Sequence, residues 1–233
     1  MPRCAFLSIT NTEGWFIDDN LVHEPLKKLG WEVFNVPWNI ETDWNTYDLV
    51  IIRSTWDYQS NLEQFSEVLK EINDSKAILL NNIELVMWNI NKNYLFEIEN
   101  NGIELVQTII KPHLEKSDIE DAFDKFNSNE LIIKPTISAN ADDTFRIVKG
   151  DFNSFEKLLS VFEDRECMIQ PFMQNVVEEG EYSLIYFNGE LSHTILKTVG
   201  AGDYRVQEEH GGGVTTIETP EKMLVSSADK VIH

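Results

Sequence analysis

Basic residues are scarce in this chain: 19 lysines and arginines stand against 40 aspartates and glutamates, a formal net charge of -21 over 233 residues. A surface this acidic repels phosphodiester backbones and anionic lipid, which excludes nucleic acid and membranes as partners. Cysteine is nearly absent. Cys4 and Cys167 lie far apart and outside any metal-ligand spacing, which predicts two reduced, buried thiols in a cytoplasmic protein. No apolar run reaches the length of a membrane span. The opening residues, MPRCAFLSITNTEG, alternate like a strand and do not form a secretory leader. Several chemistries lack their signatures. There is no GxxxxGK[ST], no GxGxxG after the first strand, no zinc spacing and no GxSxG elbow. Internal repeats and low-complexity segments are missing too.

What is present is a regular succession of short elements. CAFLSI, WEVFNV, DLVIIR and AILL read as strands, with helical spacing over Leu21 to Leu29 and over Leu62 to Ile72. Strand-helix-strand alternation predicts a parallel sheet covered by helices, here over residues 1–85. Residues 86–168 read as a small α+β unit. It has a helix from Asn89 to Asn101, strands in IELVQTII, ELIIKP, TFRIVK and CMIQPF, a helix from Ser117 (as N-cap) to Phe126, and one from Phe155 to Phe162. Residues 169–233 hold a hairpin, EYSLIYF and ELSHTILK around Asn188-Gly189, then the strand VTTIE and a helix opened by Pro220. That helix runs to His233 with no cap, which predicts an incomplete C-terminal unit.

In so acidic a chain an anion site must be built locally. Lys134 ends the strand LIIKP, and Lys197 ends the second strand of the hairpin. Glu181 begins the first strand of that hairpin, so its direction is fixed. The segment KTVGAGDYRVQEEHGGG, Lys197 to Gly213, joins a lysine and Arg205 to glycines that allow close backbone approach. Lysine and arginine supply the positive charge that a transferring phosphoryl group requires. Each residue alone is equally well a strand reaching the surface. The set predicts convergence on one cleft.

IIKP, MIQPF, EEGEYSLIYFNGELSHTILK and GDYRVQEEHGGG resemble the ATP-grasp ligases, in particular the glutathione-synthetase-like group that includes the cycloserine-pathway ligase. IIRSTWDY and MWNINKNYL-(x)6-GIELVQT extend the resemblance through nearly the whole chain. It implies the ATP-grasp fold: a Rossmann-like N-terminal domain and two α+β subdomains that grip ATP between antiparallel sheets. By the same resemblance, Lys92 and Lys134 are cofactor-binding, near the phosphates. Gln170, Pro171, Phe172 and Met173 form the adenine hinge, with the Phe172 N–H as donor because Pro171 has none. Glu181 accepts from the ribose hydroxyls. Lys197 and Arg205 face the transferred phosphate as catalytic residues, with Gly211 and Gly212 beside the substrate. Arg53, Trp56 and Tyr58 follow a strand's carboxyl end and are read as a substrate-carboxylate pocket. An ion-paired structural Arg53 is the competing reading.

The implied activity joins a small-molecule carboxylate to an amine, or to a thiol, through an acyl phosphate, with ATP and Mg2+. A homo-oligomer is compatible with this. Two departures stand out. The loop SANADD after Lys134 lacks the glycines of the wider superfamily, and no Glu-x-Asn metal motif follows Arg205. Glu99-Asn100-Asn101 matches that motif only as a string, far upstream. No residue is therefore assigned to a metal. A non-catalytic nucleotide-binding protein is the alternative.

Overall fold

The computed structural model describes residues 1–151 and 155–232. His233, on which the uncapped chain end rests, lies outside them. The described chain forms two compact units, Met1–Lys92 and Asn93–His233.

In the first unit β1 (Arg3–Ser8), α1 (His23–Lys28), β2 (Glu32–Pro37), β3 (Leu49–Ser54), α2 (Leu62–Asp74), β4 (Ile78–Leu80) and α3 (Ile83–Ile90) follow in order. The strands form one parallel sheet, ordered β2-β1-β3-β4. β1 is buried along nearly its whole length because both faces of a parallel sheet are covered. α2 turns Phe65, Leu69 and Ile72 inward, spaced i, i+4 and i+7. Each such side chain contributes about 1.5–3 kcal/mol by leaving water.

The helix expected from Asn89 to Asn101 is instead two helices. α3 begins earlier, where the Asn82 side chain accepts the Leu85 N–H at 2.9 Å. It ends at Ile90, and α4 (Tyr94–Asn100) starts after a break at Asn91-Lys92-Asn93. Two asparagines there are poor helix formers.

The second unit continues with β5 (Ile109–Lys111), α5 (Lys116–Phe126), β6 (Glu130–Pro135), β7 (Phe145–Val148), α6 (Phe155–Val161) and β8 (Cys167–Pro171). These strands form an antiparallel sheet ordered β5-β8-β6-β7. Ile119, Phe123, Leu131, Ile133, Leu158 and Ile169 meet in its core. The N-cap of α5 is Glu115, not Ser117: the Glu115 N–H donates to the Asp118 carboxylate at 2.9 Å in a capping box. Of the apolar stretch IELVQTII only β5 is strand.

A short α7 (Gln174–Glu178) leads into β9 (Glu181–Phe187), β10 (Glu190–Thr198), β11 (Gly213–Ile217) and α8 (Lys222–Ile232). The three strands form an antiparallel sheet ordered β11-β10-β9. The β9–β10 turn is Asn188-Gly189, with φ of 52° and 81°, as a tight hairpin demands.

Candidate nucleotide site

Strand pairing sets the first distances. Antiparallel pairing of β9 with β10 puts Glu181 directly across from Lys197. The Lys197 ammonium lies 3.8 Å from the Glu181 carboxylate. Gly180 makes this close approach possible. Its φ is +118°, and a Cβ there would stand 2.5 Å from the Lys197 carbonyl oxygen. From the neighbouring sheet, Lys134 is the penultimate residue of β6, at a position where the alternation leaves it half-buried. Burial pushes its pKa below the ordinary lysine value, because the ammonium loses water. The nearby Glu181 charge opposes that shift. Lys134, Glu181 and Lys197, from three strands of two sheets, thus share one electrostatic neighbourhood.

The hinge follows from the β6–β8 register. Pro171 pairs with Leu131, and the chain then leaves the sheet. The Phe172 N–H donates to the Glu130 carbonyl at 3.0 Å. The N–H expected to serve adenine is thus bonded within the protein. Successive N–H groups in extended chain point opposite ways. Met173 follows in extended backbone, with φ -94° and ψ 98°, as the N-cap of the next short helix.

The Phe172 ring serves as an anchor. The Arg146 guanidinium lies 3.9 Å from its centroid and bonds to Glu130 at 2.6 Å, while Tyr204 meets it edge-on at 6.4 Å. Gln170 donates from its side chain to the Thr108 hydroxyl at 2.9 Å, which braces β8. No local pattern marks Arg146, Glu130 or Tyr204, since each looks like an ordinary surface residue.

The glycine-rich loop folds on itself. A Cβ on Gly212 would strike the Val206 carbonyl, and one on Gly200 would stand 2.7 Å from the His210 carbonyl. Gly212 therefore makes room for its own loop, while Gly211, at φ 81°, closes the short turn over Glu208–His210. The Tyr204 hydroxyl donates to the Thr144 carbonyl at 2.9 Å and ties this loop to the one after Lys134. That second loop holds Asn140, Ala141 and Asp143 at φ of 52°, 57° and 47°. These are left-handed conformations that glycine adopts with least strain. The SANADD loop thus takes a glycine-like backbone without glycine. Arg165 holds it, bonding to Asp143 at 2.6 Å and to the Ile137 carbonyl at 3.3 Å.

Arg205 forks onto Asp203, with Nε and Nη2 donating at 3.0 and 2.7 Å. The guanidinium and two backbone N–H groups hold the Asp203 carboxyl well below the usual carboxylate range. Lys92 lies in the turn between α3 and α4, at the end of the first unit.

In that first unit Arg53 takes the ion-pair alternative. Its Nε donates to the buried Asp19 carboxylate at 2.7 Å, and the Ser54 hydroxyl donates to the other oxygen at 2.8 Å. Asp19 was not singled out from the sequence, being 34 residues from its partner. Trp56 stacks on Trp15 at 5.3 Å, and Tyr58 on Phe65 at 5.2 Å.

The donors and acceptors of the second unit fit an adenine nucleotide. One carboxylate and two ammonium groups stand in one neighbourhood, the acceptor and donor types that ribose hydroxyls and phosphates take. A magnesium site does not fit as well. Among the described residues no group of three or more His, Cys, Asp or Glu side chains is arranged to hold a metal. No helix of the described residues is long and apolar enough to cross a membrane.

Residues 4–81 match the D-cycloserine synthetase DcsG N-terminal domain family. The cycloserine biosynthesis protein DcsG of Streptomyces lavendulae is 25% identical over 165 residues, covering 66% of this chain and 53% of that protein. The chain thus spans about half the length of this curated relative. The crystal structure of D-cycloserine synthetase DcsG superposes with a TM-score of 0.82 at 18% identity, over 99% of this chain and 80% of that one. D-alanine–D-alanine ligase from Bacillus anthracis, complexed with ATP, superposes with a TM-score of 0.63 at 16% identity, over 100% and 78%. The chain has the ATP-grasp fold, and its resemblance to ATP-grasp ligases of the cycloserine-pathway group holds.

Proposed function

From the ATP-grasp fold as premise, we propose that this chain is the nucleotide-binding part of an ATP-dependent carboxylate ligase. The observation that carries the reading is the meeting of Lys134, Glu181 and Lys197 at strand ends of two sheets of the second unit. Met173 would bond adenine N1 and Glu181 the ribose hydroxyls. The two lysines would offset the phosphate charge, and Lys197 with Arg205 would stabilise charge on the transferring group. A carboxylate would be activated as its acyl phosphate and captured by an amine or thiol, with ADP and phosphate leaving. When bound, Mg2+ would add to the neutralisation of the phosphates. No residue of this chain is assigned to hold it. The partners are small molecules, and the setting is the cytoplasm.

The test is ADP release with ATP, Mg2+ and a panel of amino acids and short peptides. Release that needs both a carboxylate and a nucleophile supports the ligase, and release with ATP alone opposes it. The second reading, a nucleotide-binding protein without turnover, is favoured by one observation: Asp203 already occupies two guanidinium donors of Arg205. Saturable ADP binding without release in any combination would select it.

A further inference from the structure

A second cleft lies wholly inside the first unit. Its volume is about 410 Å³, within the range of small-molecule sites. It opens at the carboxyl ends of β3 and β4, where parallel sheets hold their ligands. Phe65 on α2 lines it, buried and packed against the Trp38 ring at 5.3 Å and the Tyr58 ring at 5.2 Å. α3 supplies Val86, Asn89 and Ile90, which its spacing puts on one face. The capping bond from Asn82 fixes where that face begins.

The lining carries no Asp, Glu, Lys, Arg or His, in a chain where 25% of residues are charged. Its polar groups are the Thr55 and Tyr58 hydroxyls and the Asn81 and Asn89 carboxamides. The charged residues next in sequence are drawn elsewhere. Arg53 is held by Asp19, and the Asp57 carboxylate accepts the Trp38 indole N–H at 2.7 Å. A charged ligand group would lose water here and gain no counter-ion. A carboxamide or alcohol would exchange hydrogen bonds with water for bonds with the Asn81 and Asn89 carboxamides and the Thr55 hydroxyl.

We infer that this cleft binds an uncharged small molecule, one with an apolar body and a carboxamide or hydroxyl end. Such a site exists whether or not the chain turns over ATP.

The probe pair is benzamide and benzoate, alike in shape and different in charge. Saturation-transfer NMR on the full chain should show benzamide binding saturably and benzoate about tenfold more weakly. Leu85→Trp at the exposed rim and Val86→Phe inside should each weaken benzamide by at least about fivefold. Thermal melting and ADP titration of both variants check that the fold and the other unit are unchanged. Equal affinity for benzoate, benzamide binding untouched by both variants, or no saturable benzamide binding would each overturn the inference. Loss of ADP binding with benzamide binding retained would count against the ligase reading alone.

Discussion

Lys134→Met separates binding from stability. Methionine keeps most of the apolar stem, so packing against the end of β6 should survive. In the ligand-free protein the lysine is held at some cost, since burial pushes its pKa down and only the Glu181 charge opposes this. Removing the charge leaves Glu181 with Lys197 at 3.8 Å. The variant should therefore melt no lower than wild type at neutral pH.

The pH dependence gives the sign. The folded pKa lies below the ordinary lysine value, so the unfolded chain holds the extra proton between the two. Wild-type stability then rises with pH across that window, and the variant should lack the rise. Nucleotide binding should move the other way. Losing a charge-assisted hydrogen bond to phosphate costs about 1.5–3 kcal/mol, or roughly ten- to hundredfold in ADP affinity. Thermal melts over pH and calorimetric ADP titration read the two effects. A variant that melts well below wild type yet binds ADP as tightly would refute the placement of Lys134 in the site.

Three further outcomes follow from the contacts. Arg53→Ala strands the buried Asp19 carboxylate with only Ser54 and should cost about 1.5–3 kcal/mol by denaturant unfolding, with ADP affinity unchanged; unaltered stability would revive a substrate role for Arg53. The Asp229 carboxylate accepts from the Tyr186 hydroxyl at 2.6 Å and raises its pKa to about 12. Stability from that bond is complete below the ordinary tyrosine value near 10 and is lost as pH rises through the folded value. Tyr186→Phe should flatten this alkaline decline in unfolding titrations, and an unchanged profile would count against the bond. Gly180→Ala adds a Cβ 2.5 Å from the Lys197 carbonyl at a positive φ, so it should lower the melting temperature and weaken ADP together; a silent substitution would show that β9 starts elsewhere.

The strands were legible because each is a short apolar run between turn residues, and Asn188-Gly189 marked its hairpin outright. The convergence of Lys134, Glu181 and Lys197 was legible as strand-end positions, since pairing direction alone puts Glu181 opposite Lys197. The bond from the Phe172 N–H to the Glu130 carbonyl was not legible, for a reason no local pattern contains. Whether its N–H faces β6 depends on a register between strands 40 residues apart, as in the pair Leu131 and Pro171. Arg53 with Asp19, and Tyr204 with Thr144, are likewise contacts that only folding creates. The start of α3 was the avoidable miss, because Asn82 followed by Ile-Glu is a cap signal.

The most direct test is an amide NMR titration of the whole chain with ADP. The account predicts a saturable shift of the Met173 amide with slowed exchange, together with changes at Glu181 and Lys197, while the Phe172 amide, already bonded to Glu130, stays still. A shift at Phe172 with none at Met173, or no saturable change across residues 170–181, would contradict it.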